Sequence, residues 1–553
     1  MIMEEIFKKH ALINAVQHKG KASVQAVLSR SIAERPELKT RINEIVKVIQ
    51  KIVDEVNALS LEEQKRKIEE LGIKLERKVK EGLPELKGAE VGKVIMRLAP
   101  FPSGPLHLGN ARMAILNDEY VKKYKGKLLL VFDDTIGSKE KSILPEAYEM
   151  IEDGLKWLGV EFHEKVYKSD RLELFYKYGR EIIEKGFAYV CTCSENEIRE
   201  NRRNGIECSC RSRSVQENLD LWKKMLEGKF KEGEATVRIK TNMKHPNPAF
   251  RDRVLFRISE REHPRVGKKY RVWPMLEFSW AVDDWLLGVT HILRGKQLVI
   301  EDMMEEFIWE KMGWPKKEFI HYGMLKIEGA VLSKSETRKM IEKRVISGWE
   351  DPRTWSLQSL RKRGFQPEAI RKFIIKMGLS EADVSVPLEI LYAENRKLID
   401  PIANRYMAVI SPVCISVENA PELFYTEIRM HPDFPERGTR KIPVNTQKIY
   451  LESEDIKKLE GKEVGLINLF SVRIGKKVEF LSNEISYEIP KIHWVSEPNV
   501  KVKIIMPNGE VKKALAEPSI EELKEGEIIQ LYRIGFCRVD KMGEDKVLYF
   551  AHK

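Results

Sequence analysis

Apolar positions in the first ninety residues recur at helical spacing. Ile42, Ile45, Val46, Ile49, Ile52 and Val53 stand among charges, the three-to-four-residue period of an amphipathic helix. The pattern predicts a two- to four-helix extension over 1–90. The period then changes. Residues 94–96 are a short apolar run, 106–123 are amphipathic at helical spacing, and 128–132 are continuously apolar up to Asp133-Asp134. A continuous apolar run that follows a helix suits a strand buried on both faces of a parallel sheet. Residues 91–167 therefore read as a βαβ unit. Ligands collect at the C-terminal strand ends of such sheets, which singles out Arg97 and Asp133. Residues 168–272 mix both patterns. Residues 273–330 return to α/β character, with 285–294 as a turn and then a strand. Residues 331–403 read as helical. From Asn404 to the end, short alternating strands such as 441–444 and 500–505 predict an all-β region of barrels.

With 553 residues the chain is too long for one core. Its 97 Lys and Arg against 85 Asp and Glu leave a net charge of +12, which suits a polyanionic partner. No apolar run approaches the ~20 residues that a membrane helix needs. The first ten residues are charged from Glu4 onward, unlike a secretory signal. Four of the six cysteines form two tight pairs, Cys191-x-Cys193 and Cys208-x-Cys210, with fourteen residues between them. Two such knuckles suit one tetrahedral structural zinc ion in a reducing cytoplasm. Cys414 and Cys537 stand alone and are expected in the core.

Two short segments carry the chemistry. In residues 97–112, the loop Ser103-Gly104-Pro105-Leu106 leads through His107-Leu108-Gly109-Asn110 into a helix start, whose free N–H groups and dipole favour phosphate. Gly104 and Gly109 let the backbone approach closely. Far downstream, Leu332-Ser333-Lys334-Ser335 offers one Lys that could neutralise charge building on a phosphate.

In this order the two segments resemble the two signature sequences of the class I aminoacyl-tRNA synthetases. From about residue 91 to the end, the chain resembles their glutamyl/glutaminyl branch in its archaeal–eukaryotic form. The resemblance implies a Rossmann-like doubly wound catalytic domain in two halves, 91–167 and 273–330, split by an acceptor-stem insertion with a zinc knuckle at 168–272. It further implies a signature loop and helical stem-contact domain at 331–403 and anticodon-binding barrels at 404–553. The implied reaction activates L-glutamate with ATP and Mg2+ and transfers it to tRNA-Glu, in a cytoplasmic, monomeric enzyme. Whether tRNA-Gln is also charged is left open.

The resemblance assigns His107, Asn110 and Lys334 to catalysis. ATP falls to Pro105, His107, Gly109, Asn110, Leu332, Ser333, Lys334 and Ser335, and the amino acid to Arg97, Ser103, Asp133 and Arg294. Arg294 discriminates, since a buried γ-carboxylate needs a paired cation and a neutral amide leaves it uncompensated; glutaminyl enzymes carry a small residue there. Phe319 fits the same reading. An ion pair of Arg294 with Glu301 or Asp302 is the competing one. Which of Arg97 and Arg294 takes the side-chain carboxylate stays open. Arg199, Arg202, Arg203, Arg211 and Arg213 surround the cysteines and could grip a phosphate backbone. Asn110, Phe101, Val131, Leu276 and Val331 depart from the family pattern. Phe101, Asn110 and Leu276 keep a catalytically silent tRNA-binding paralogue as a rival, beside a glutaminyl enzyme, against which Arg294 argues.

Overall fold

The computed structural model describes residues 2–17, 20–35, 38, 42–71, 83–136, 142–327 and 332–553. It divides into two units, Met1–Glu81 and Gly82–Lys553. The first unit contains helices Ile2–Gln17, Val24–Glu34, Ile42–Asn57 and Leu61–Glu70. Their apolar stripes, with Phe7, Leu12, Val27, Ile45, Ile49 and Val53, share one core.

In the second unit, strands Ile95–Leu98, Lys127–Phe132 and Glu164–Tyr167 form a parallel sheet in chain order. Leu128, Leu130 and Phe132 enter the core on one face, and Leu129 and Val131 enter the core on the other. Period-2 geometry with both faces covered is what turns this strand into a continuous apolar run. A second parallel pair, His291–Gly295 and Glu318–Tyr322, is tied to the first strand by Thr290, whose N–H donates to Ile95 O at 2.9 Å. The first strand begins one residue later than expected and includes Arg97, which sits one position before its end. The following helix runs Leu108–Lys123, not from 106, because His107 is its extended cap and Pro105 precedes it.

The insertion is built on an antiparallel sheet of Ala188–Cys191, Thr236–Ile239, Val254–Ile258 and Val272–Pro274. The 331–403 region is not wholly helical. Besides four helices it supplies strand Val384–Val386, which pairs in parallel with Leu325–Ile327. Downstream, seven strands form one sheet whose two end strands, Asn404–Tyr406 and Ala408–Ile410, are separated in the chain by Met407 alone. The sheet thereby bends nearly closed into a barrel. A second β module, with Val464, Val472, Ile474 and Trp494 in its core, packs around a separate cluster. The strand expected at 441–444 runs Thr439–Pro443, and Val500–Ile505 falls where the alternation placed it. Cys537 is buried, but Cys414 is exposed. It lies on strand Pro412–Ile415, whose side chains remain largely in solvent, so the core expectation fails for it. Among the described residues no helix is long and apolar enough to cross a membrane.

Candidate active site and metal centre

The loop between the first strand and helix Leu108–Lys123 is held by a turn in the 331–403 region. Leu108 N–H donates to Trp355 O at 3.1 Å and Leu357 N–H to Leu106 O at 2.9 Å. Gly104 has φ +153, and a Cβ there would lie 2.7 Å from the Trp349 ring, so only glycine fits. A Cβ on Gly109 would sit 3.0 Å from the His107 ring and 3.4 Å from Leu332. Ser333 caps helix Lys334–Glu342 through its Oγ, and Lys334 Nζ donates to Gly104 O at 3.1 Å. The two signature segments, separated by more than two hundred residues, thus meet at Gly104 and Gly109. Val331 lies outside the described residues; Ser335 is exposed.

His107 and Asn110 differ from a simple pair of phosphate donors. Asn110 Oδ1 accepts the His107 N–H at 3.3 Å, so its carbonyl serves the helix start. Burial, and then the Lys334 charge, push the His107 imidazole down to about 3. It is therefore neutral at physiological pH and can offer an N–H but no charge. Its Nδ1 is buried without a partner among the described residues.

Beyond this loop lies a buried ionic cluster centred on Trp280. The guanidinium groups of Arg97 and Arg294 lie 4.9 and 4.7 Å from its ring centroid, and Lys168 Nζ lies 5.2 Å away. Arg97 makes a bidentate pair with Asp284, at 2.6 and 2.8 Å. Lys168 donates to Asp133 Oδ1 at 2.9 Å and to Ser279 Oγ at 2.8 Å. Arg294 donates through Nε to Asp302 at 2.5 Å and through Nη2 to Glu305 at 2.7 Å, while Phe319 lies 5.0 Å from it. The competing ion pair therefore exists, with Asp302 and Glu305. Glu301 instead faces Arg253. Yet Arg294 Nη1 is buried without a partner among the described residues, as is Glu305 Oε2. Burial pushes the Glu305 carboxyl up to about 8 despite Arg294, which leaves it mostly protonated near neutrality. Asp302 supplies the counter-charge of Arg294, and Nη1 remains a directed donor. Ser103 and Pro105 lie on the loop nearby in sequence.

Lys168, Trp280, Asp284 and Glu305 escaped the sequence reading, which named Asp302 only as a partner for Arg294. One signal was available for Lys168: it follows the third parallel strand, Glu164–Tyr167, just as Asp133 follows the second. No spacing rule marks the acids, which come from two helices, Leu276–Leu286 and Val299–Met312.

The four cysteines converge. Cys191 and Cys208 Sγ atoms are 3.8 Å apart, as are those of Cys193 and Cys210, and all four lie within 4.8 Å of one another. A Zn–S bond of about 2.3 Å gives a tetrahedron edge of about 3.8 Å, so the donor set fits one zinc ion with no open position. Such a site braces the fold and takes no part in a reaction. Elemental analysis is expected to find a single zinc ion per chain, lost together with thermal stability in a Cys208→Ala/Cys210→Ala variant. A variant that kept the metal would remove these ligands.

Several arginines around the knuckle are committed elsewhere. Arg211 pairs with Asp252, Arg213 donates to Val190 O, and Arg202 donates to Pro248 O and Ala249 O. These three brace the insertion through those bonds. Arg199 pairs with exposed Glu195. Arg199, Arg203 and Arg257 line a cavity of about 600 Å³ that reaches from Cys193 to Met275 and Glu277, beside Leu276.

A parallel sheet carrying two converging signature loops defines a class I aminoacyl-tRNA synthetase scaffold. Residues 93–401 match the family model for tRNA synthetases class I (E and Q), catalytic domain, and residues 403–493 and 491–540 match two anticodon-binding domain models of the same group. The chain belongs to this family. It is similar to glutamate–tRNA ligases from Pyrococcus abyssi, at 48% identity, Pyrococcus furiosus, at 47%, and Methanocaldococcus jannaschii, at 44%, in each case over 100% of both chains.

Proposed function

We propose that the chain joins L-glutamate to tRNA-Glu in two steps. An oxygen of the glutamate α-carboxylate attacks the α-phosphorus of ATP, the bond to the β-phosphate oxygen breaks, and pyrophosphate leaves. The terminal ribose hydroxyl of the tRNA then attacks the adenylate carbonyl, loses its proton and releases AMP. No protein nucleophile is needed; catalysis is positioning and charge stabilisation. Lys334 moves from Gly104 O to the phosphates, and the N–H groups at the start of helix Leu108–Lys123 face them. Mg2+ arrives with ATP, held mainly by phosphate oxygens. Asp133 meets the α-ammonium. Arg97 and Arg294 meet the carboxylates, and the structural zinc stabilises the insertion that carries the acceptor stem.

The observation that carries the choice of glutamate is the spare Nη1 of Arg294, buried among aromatic rings and acids. A carboxylate satisfies it with charge; a carboxamide oxygen would leave much of the site's positive potential unused. The anticodon-binding region takes the far end of the tRNA, and the enzyme works as a cytoplasmic monomer.

The experiment is aminoacylation with ATP and labelled glutamate or glutamine, on separate tRNA-Glu and tRNA-Gln transcripts. Glutamate is expected on tRNA-Glu, and the tRNA-Gln lane reads discrimination directly. Glutamine charging would overturn the Arg294 argument. Binding of tRNA with neither amino acid charged would mean a silent paralogue.

A further inference from the structure

Arg363 follows helix Leu357–Lys362 and is completely buried. Among the described residues it has no carboxylate partner: Nη2 donates to Ala551 O at 2.8 Å and Nε to Phe550 O at 3.4 Å, and the Tyr392 hydroxyl is its other polar neighbour. A buried guanidinium with no counter-charge is costly, and an apolar residue would pack there more cheaply. Both carbonyls belong to the last strand of the barrel, Lys546–His552.

The flat faces of the same guanidinium lie near two rings, Trp355 at 4.9 Å and Phe365 at 5.1 Å. Trp355 has φ +54, the left-handed region that a bulky residue rarely adopts. Something must hold it there, and the Trp355 carbonyl is the group that receives the Leu108 N–H. Leu108 opens the helix that points at the phosphates. The other end of the same turn touches the same loop. Trp349 covers Gly104, and its carbonyl accepts from Ser356 Oγ at 2.6 Å and Thr354 Oγ1 at 2.8 Å. The nucleotide loop therefore rests at Gly104 and at 106–108 on one strained turn, and Arg363 fastens that turn to the C-terminal strand.

We propose that Arg363 is a positioning residue for ATP: by clamping Trp355 against the carbonyls of Phe550 and Ala551, it sets the backbone of the nucleotide loop. The inference rests on the reading of that loop as the ATP site. It gives the barrel a direct hold on nucleotide binding.

The test uses the full-length chain in steady-state aminoacylation of tRNA-Glu, varying ATP at saturating glutamate and then glutamate at saturating ATP. Arg363→Met keeps most of the volume and loses the donors. It is expected to raise KM for ATP about tenfold while KM for glutamate stays within about twofold. Arg363→Lys can still reach one carbonyl and should recover part of the loss. Trp355→Leu should reproduce the ATP defect, and the double variant should be no worse than either single one, as expected for residues acting through one contact. Should Arg363→Met be insoluble, Trp355→Leu carries the test. An unmoved KM for ATP in a folded variant overturns the proposal, and so does an equal rise in both KM values, the mark of general loosening. A wild-type chain that fails to charge at all would instead sink the reading of the loop.

Discussion

Lys334→Ala is expected to slow formation of glutamyl adenylate by about 10²–10³-fold, the range for removing one directed charge from a developing anion. The ground-state contact explains why binding should suffer less. Lys334 Nζ donates to Gly104 O within the loop, and in the proposed mechanism it turns from that carbonyl to the phosphates. Its attraction therefore grows as charge moves onto the α-phosphate oxygens and the leaving pyrophosphate. Single-turnover measurement with tRNA present should show the rate falling far more than the affinity for ATP. The fold should be little affected, since Lys334 opens its helix and Ser333 supplies the cap. A near-normal rate would remove Lys334 from the mechanism. A matching loss in ATP affinity would make it an ordinary binding residue.

Arg294→Cys has two separable consequences. It removes the spare donor that we assign to the substrate carboxylate, so KM for glutamate should rise by about 10²–10³-fold while KM for ATP changes little. It also strips the cation from Asp302 and Glu305, both buried. Breaking a buried pair on one side costs about 3–5 kcal/mol, so the melting temperature should fall as well. The same variant with Asp302→Asn and Glu305→Gln separates these effects. Neutral amides no longer need the guanidinium, so stability should return while glutamate use does not. If glutamate use returned with stability, Arg294 would be a structural ion pair only.

Why the first signature was legible is clear from its local physics. A Pro/Gly-rich loop entering a helix can be read from neighbours in the chain, and so can a strand buried on both faces. The same holds for Asp133 at a strand end and for two Cys-x-Cys knuckles. The reading went wrong where a local pattern had two possible environments. Cys414 looked like a core residue, but its strand faces solvent. Arg202, Arg211 and Arg213 were legible as a basic group, but the carbonyl or Asp252 that each also holds was not.

The sequence by itself determined the layered α/β core, the helical first unit, the β-rich C-terminal region, the pairing of the two signatures and the donor set for zinc. These are properties of periodicity, turn chemistry and ligand type, all carried within a few residues of chain. Only the tertiary structure decided which charges neutralise which. Arg97 finds Asp284, Arg294 finds Asp302 and Glu305, and Lys168 finds Asp133, around one indole ring. It alone placed Lys334 on Gly104 and Arg363 on the final strand. Electrostatic pairing depends on distance through space, and neither near pairs such as Arg294 with Asp302 nor distant ones such as Arg97 with Asp284 leave a periodic trace of it in the chain.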